Sequence, residues 1–241
     1  MDEKVRELKE YIDTYDNIVF FGGAGVSTES GIPDFRSPGG LYSEEGHRYP
    51  PEYMLSRSFF DAHTEEFFEY YRQKLIPPQS VKPNAAHEFL ARLEKEGKLR
   101  AVITQNVDGL HQAAGSKNVL ELHGSVWRNY CQKCGRFYET DLSIKGVPRC
   151  TCGGVIKPDV VLYEESLDDD RLAAAIEYIS RAQLLIIGGT SLVVYPAAGL
   201  VRYFNGEKLV IINKSPTQYD GRADLVITGG IAKVFKSITE G

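Results

Sequence analysis

Five short stretches of this chain are apolar on consecutive rather than alternate residues: 17–21, 99–103, 184–187, 208–212 and 225–227. A strand with one wet face alternates, so runs of this kind are strands buried on both faces. Amphipathic stretches at helical spacing, such as 85–96 and 168–180, separate several of them. Another, at 3–16, precedes the first and carries Val5, Leu8, Tyr11 and Ile12 at that spacing. Doubly buried strands alternating with helices call for a parallel sheet covered on both faces, an α/β fold. The 241 residues suffice for one such domain carrying a smaller module.

Two segments break this rhythm. Residues 37–82 are rich in Pro, Tyr, Phe and charge, and read as a loop followed by helices around 52–62 and 65–75. Residues 127–158 hold every cysteine and little apolar periodicity. Both read as insertions. They leave a large α/β domain built from 1–36, 83–126 and 159–241, a loop and helical module at 37–82, and a metal-binding module at 127–158. The net charge of −5 comes without a basic stripe, so direct nucleic-acid binding is not expected. The opening MDEKVRELKEYIDTYDN lacks the apolar stretch of a signal peptide, and no run is long enough to span a bilayer. A cytoplasmic, monomeric protein without a membrane partner is therefore expected, and in that compartment cysteines are ligands or catalysts before they are disulfides.

The cysteines form two close pairs, Cys131/Cys134 and Cys150/Cys152, with fifteen residues between them. That spacing suits one structural zinc ion held by four thiolates, with no open position for a catalytic water. Gly135 relaxes the turn of the first pair. The second pair has a single residue between its cysteines, a tighter turn to which Gly153 and Gly154 lend backbone freedom.

After the first apolar run comes Gly22-Gly23-Ala24-Gly25-Val26-Ser27-Thr28. Glycines leaving a buried strand let backbone N–H groups approach a pyrophosphate, although such a turn alone is a weak signal. An ordinary dinucleotide unit returns to a second strand after about 30 residues, with an acid that holds the ribose. Here the chain enters Ile32-Pro33-Asp34-Phe35-Arg36-Ser37-Pro38-Gly39-Gly40, and Glu44 and Glu45 at that distance have no strand before them. The loop is expected to fold over a ligand. Beyond 99–103 stand Thr104-Gln105-Asn106-Val107-Asp108, where side chains would enter a cleft at the strand ends. His123, beside Gly124 at the end of another apolar stretch, is a candidate general base. Taken by itself such a histidine is more often structural. His111 is expected to orient the polar loop.

Taken together, the segments GAGVSTESGIPDFR (23–36), TQNVDGLH (104–111), LHG (122–124), the cysteine pairs, GTSLVVYPAA (189–198) and IINKSPT (211–217) resemble the sirtuin family of NAD-dependent protein deacylases. The resemblance implies a Rossmann-like large domain plus a small domain made of a zinc-ribbon module and a helical module. It implies that NAD is consumed as a co-substrate, that proteins carrying acyl-lysine are the partners, and that nicotinamide, O-acyl-ADP-ribose and free lysine are released. In the implied chemistry the acyl oxygen attacks C1′ of the nicotinamide ribose, and His123 then takes a proton from the ribose hydroxyls. Asn106 and Asp108 are the further catalytic residues, with Asp108 and Val107 on the carboxamide. Phe35 would shield C1′, Arg36 and Asp34 belong to the cofactor loop, and Gly23, Ala24, Gly25 and Thr28 lie by the phosphates. Gln105 would meet a ribose hydroxyl, and Gly189, Thr190, Ser191, Asn213 and Ile231 serve the adenosine end. Val160, Val161 and Tyr163 match a peptide-binding strand, flanked across the peptide by Val193 and Val194.

Some positions depart from the family pattern. Gly22 replaces a threonine, the second cysteine pair is one residue short, and Glu164 replaces a glycine, where its carboxylate would favour basic peptides. Phe68 and Tyr71 stand where acidic-acyl enzymes carry a tyrosine and an arginine, which points to uncharged acyl groups. Mono-ADP-ribosyl transfer at the same NAD site is the alternative reaction, and a zinc-ribbon binding module the alternative without catalysis.

Overall fold

The computed structural model describes residues 2–37, 39–43 and 48–240; Glu44, Glu45 and His47 lie outside them. The chain opens with α1 (Glu3–Thr14), capped by the Asp2 carboxylate, and enters β1 (Ile18–Gly22), buried along its whole length. Two short 3-10 turns replace the helix that the glycine turn would conventionally start. The helical module follows as α2 (Pro51–Met54), α3 (Arg57–Ala62) and α4 (Thr64–Lys74). Then come α5 (Ala85–Lys95), β2 (Leu99–Thr104), α6 (Leu110–Ala113) and β3 (Val119–Glu121). The cysteine segment contributes β4 (Gly124–Cys131), β5 (Phe137–Glu139) and β6 (Ile156–Val160). The chain closes with α7 (Asp169–Arg181), β7 (Leu184–Gly188), β8 (Lys208–Asn213), β9 (Leu225–Thr228) and α8 (Ile231–Glu240).

Among the described residues, six strands form one parallel sheet in the order β3-β2-β1-β7-β8-β9. Successive strand residues feed opposite faces, as the pleat demands. Ile18, Phe20, Leu184 and Ile186 pack with α1, α5 and α8, while Val19, Phe21, Leu185 and Ile187 pack with α7 and the 3-10 turn Ala197–Tyr203. The expected doubly covered α/β sheet is what forms. Strand order reverses between β1 and β7, and a sheet of this kind opens a crevice outside the carboxyl ends at that point.

The segment with little apolar periodicity holds a three-stranded antiparallel sheet, β5-β4-β6. Its two long strands run without a break through residues 127 and 158. They carry Val126 and Val160 into an aromatic cluster with Phe59, Phe60, Phe67 and Tyr70, so the helical module packs on the base of the small sheet. The helix expected around 52–62 is broken at Leu55 and Ser56. There the chain pairs with Tyr163, whose N–H reaches Leu55 O at 3.0 Å and whose carbonyl accepts from Arg57 N at 2.9 Å. Ser56 then caps α3 by accepting from Phe59 N. Phe68 and Tyr71 turn into the aromatic cluster, each 3 % exposed and neither lining the central cleft. Among the described residues, no helix is long and apolar enough to cross a membrane.

Candidate active site

The reversal point carries a cleft of about 590 Å³, within the usual range for small-molecule sites. Its floor is two glycine turns in contact. Gly25 N donates to Gly189 O at 2.8 Å, and Gly23 N to Gly188 O. A Cβ on Gly25 would lie 2.7 Å from Gly189 Cα, and Gly189 has φ 60°, so both positions need glycine. A Cβ on Gly22 would meet the Phe20 ring at 2.6 Å, which is a local reason for glycine where the family carries threonine. Ala24 and Thr28 line the same wall, with Thr28 Oγ1 donating to Gly25 O.

The polar loop after β2 is wired to this turn. Asn106 Nδ2 donates to Ser27 Oγ at 3.0 Å, and Ser27 Oγ donates to Asp108 Oδ2 at 2.7 Å. Leu110 N supplies Asp108 Oδ1, and the Trp127 indole N–H holds the Asp108 carbonyl at 2.7 Å. Burial pushes the Asp108 carboxyl above its ordinary range, while the bonds from Leu110 and Ser27 pull it back. Ser27 was not among the expected site residues; its only trace in the sequence is a hydroxyl inside an otherwise small, apolar turn. Val107 also faces the cleft, and its carbonyl accepts from Val126 N.

His123 lies between β3 and β4, half-buried in the cleft wall, with Nδ1 3.0 Å from Gln105 O. A carbonyl can only accept, so the proton sits on Nδ1 and Nε2 is left basic for the cleft. Burial lowers the pKa of the ring, keeping it neutral near pH 7, although the bond to Gln105 opposes that shift. The Gln105 side chain spans the floor to Thr190 Oγ1 at 2.9 Å.

At the far end, Asn213 spends its amide on the Thr190 backbone, accepting from Thr190 N and donating to Thr190 O. Ser191 is exposed in the cleft, and Ile231 packs beneath it against Gly188. The loop after Pro33 is pinned by Asp34, which accepts from Arg36 N, Ser37 N and Ser37 Oγ. Burial alone would raise the Asp34 carboxyl, but the bonds from Ser37 and Arg36 hold it below the usual range. Phe35 and Arg36 reach the cleft from this loop.

The opposite wall carries Val160, Val161 and Tyr163, with Val194 facing them; Val193 is 54 % exposed and does not line the cleft. Val161 N donates to His123 O, tying this wall to the histidine. The exposed Glu164 carboxylate lines the same wall of the cleft, where it accepts from Ser58 N at 2.8 Å and Ser58 Oγ at 2.9 Å, its backbone at φ 77°. One expectation fails here. His111 does not orient the polar loop: it is 1 % exposed, packs on His87 and Phe20, and neither ring nitrogen finds a partner among the described residues.

Outside the cleft, the four cysteine sulfurs lie within 4.8 Å of one another. Cys131 and Cys152 sulfurs are 3.5 Å apart and Cys134 and Cys150 sulfurs 3.6 Å, close to the roughly 3.8 Å edge of a tetrahedron with zinc–sulfur bonds of about 2.3 Å. Gly135 at φ 68° and Gly153 at φ 81° form the two turns, so the shortened pair still closes the cluster. The donor set fits one structural zinc ion.

Residues 23–196 match the profile of the Sir2 family. A curated protein of Clostridium perfringens, named NAD-dependent protein deacetylase, is 61% identical over 100% of both chains. One of the same name from Clostridium acetobutylicum is 58% identical over 98% of both. A solved structure of Sir2 with a p53 peptide and NAD+ shares 40% identity, covering 100% of this chain and 98% of the other with a TM-score of 0.86. With a family profile over most of its length and full-length relatives at this identity, the chain belongs to the Sir2 family.

Proposed function

We propose that this chain is an NAD-dependent protein-lysine deacylase that removes acetyl groups and consumes NAD. The observation that carries the proposal is the His123 ring, held by Gln105 O as the tautomer with a basic Nε2 at the cleft. The activity named for the full-length relatives supports it. NAD bound in the cleft supplies a ribose that gives up nicotinamide and takes over the acyl group.

The chain's residues do the remaining work. Asp108, with the Val107 backbone, holds the carboxamide, and Asn106 keeps its Oδ1 for the ribose or a water while its Nδ2 is committed to Ser27. Phe35 keeps water from the carbon that nicotinamide leaves. Arg36 meets the phosphates beside Gly23, Ala24, Gly25 and Thr28, and Asp34 fixes the loop that carries it. Gln105 meets a ribose hydroxyl. Gly189, Thr190, Ser191, Asn213 and Ile231 take the adenosine end, with Asn213 acting first as a brace for Thr190. His123 Nε2 then accepts a proton from a ribose hydroxyl, steadied by its own Nδ1–H.

The acyl-lysine peptide lies along Val160, Val161 and Tyr163, with the Val161 carbonyl accepting the acyl amide N–H and Val194 on the far side. Residues 1–36, 83–126 and 159–241 form the cofactor domain, and 37–82 and 127–158 the small domain that completes the cleft. The protein works on cytoplasmic proteins.

Nicotinamide release dependent on an acetyl-lysine peptide is the direct test. His123→Tyr is expected to abolish deacetylation while keeping the fold and NAD binding; an unaffected rate overturns the proposal. Label from NAD retained on protein instead of in O-acyl-ADP-ribose would mark the reaction as ADP-ribosyl transfer.

A further inference from the structure

The two limbs of the loop after Pro33 are paired by Leu41 N to Asp34 O at 2.9 Å and Tyr42 N to Phe35 O at 2.8 Å. Whatever holds Tyr42 therefore holds Phe35 directly across from it. The Tyr42 ring packs edge-on to Phe35, with centroids 5.4 Å apart, and lies under the Arg36 guanidinium at 5.2 Å. Its hydroxyl is 2.7 Å from the hydroxyl of Tyr163, on the opposite wall, and Arg36 Nη2 reaches the same Tyr163 oxygen at 3.5 Å.

Tyr163 is mounted rigidly. Its backbone N–H and carbonyl are both taken by Leu55 and Arg57. Its neighbour Leu162 is held through N–H to Glu165 Oε2, and Glu165 is paired with Lys157 at 3.0 Å and Arg57 at 3.3 Å. Tyr163 as a residue is 37 % exposed, so burial in a core does not account for its size. Its hydroxyl is the group that reaches the loop.

We propose that Tyr163 is a positioning residue: its hydroxyl braces Tyr42 and Arg36, and so holds Phe35 over the place where the nicotinamide ribose is to sit. This rests on the deacylase reading above. It gives Tyr163 a task distinct from touching the peptide, and it makes the wall that receives the peptide the same wall that sets the cofactor loop. The half-buried Tyr42 hydroxyl, its pKa raised by desolvation and by Tyr163, stays protonated and available for the bond throughout the working range.

The test uses Tyr163→Phe, Tyr42→Phe and the double variant in the full chain, with ADP-ribose affinity by calorimetry and KM values for NAD and an acetyl-lysine peptide. Phenylalanine keeps both rings and removes only the hydroxyl contact. Each single variant is expected to bind ADP-ribose and NAD about 2- to 10-fold more weakly, the worth of one such hydrogen bond. In Tyr42→Phe the peptide KM stays unchanged, and in both single variants a larger share of nicotinamide is released without deacetylation. The double variant is expected to be no worse than Tyr163→Phe, because that change already removes the contact the two hydroxyls share. Unchanged ADP-ribose and NAD binding in the single variants, additive losses, or a lowered melting temperature would each overturn the assignment. If wild type bound ADP-ribose but released no nicotinamide with peptide, the deacylase reading would fall. The affinity ratios between the proteins would still decide the brace.

Discussion

Lowering the pH from 7.5 to 5 is expected to cost the folded chain about 2 kcal/mol through His87 alone. His87 and His111 are 0 % and 1 % exposed, with ring centroids 4.7 Å apart. His87 Nδ1 accepts from Asn84 N at 3.2 Å, and the other three ring nitrogens have no partner among the described residues. Burial lowers His87 to about 4, and burial with the neighbouring His87 puts His111 well below its ordinary value. The unfolded chain titrates both near 6.5. Stability is therefore full above that pH, falls as the unfolded state takes up protons the folded state refuses, and levels off once pH passes below the folded value near 4. At pH 5 the ratio of the two binding terms is roughly 30, which at about 1.36 kcal/mol per decade gives the figure of about 2 kcal/mol. His111 acts in the same direction. His111→Leu removes one of the two groups and orphans no hydrogen-bond partner, so at pH 7.5 it is expected to be near neutral or stabilising. Urea unfolding of wild type and variant at both pH values isolates the His111 share of the loss, because His87 and all other titrating groups are common to the two proteins. An identical loss of stability on acidification in both would refute the reasoning.

Two further outcomes follow from the site and the cysteine cluster. Ser27→Ala removes the shared partner of Asp108 and Asn106. It is expected to cost about 1–3 kcal/mol in chemical denaturation and to slow peptide-dependent nicotinamide release; wild-type values for both would count against the wired loop. Metal analysis is expected to find one zinc ion per chain, lost in Cys152→Ser together with a fall in melting temperature. Full zinc content in that variant would remove the fourth thiolate from the site.

Much of the large domain was legible because doubly buried strands leave an unmistakable trace of consecutive apolar residues. The glycine turn was legible because two backbones meet there, at Gly25 and Gly189. The small domain was harder to read. The break in the helix around 52–62 comes from a pairing with Tyr163 more than a hundred residues away, and only Ser56 as a cap hints at it. The cysteine segment hid three strands because the side chains of a half-exposed sheet on a metal cluster need no regular alternation. His111 was misjudged because a histidine at the start of a helix beside a polar loop carries no mark of the Phe20 and His87 rings that enclose it.

By itself the sequence determined the α/β class, the cysteine cluster and the set of residue types that the chemistry needs, since apolar period, cysteine spacing and glycine content are local properties of the chain. Tertiary structure alone decided which nitrogen of His123 is basic, because that depends on where Gln105 O stands. It decided that the Glu164 carboxylate accepts from the Ser58 backbone and hydroxyl. It also decided that Tyr163 meets Tyr42 across the cleft. Each of these is a distance between atoms far apart in the chain, and such distances exist only once the sheet has brought the strand ends together.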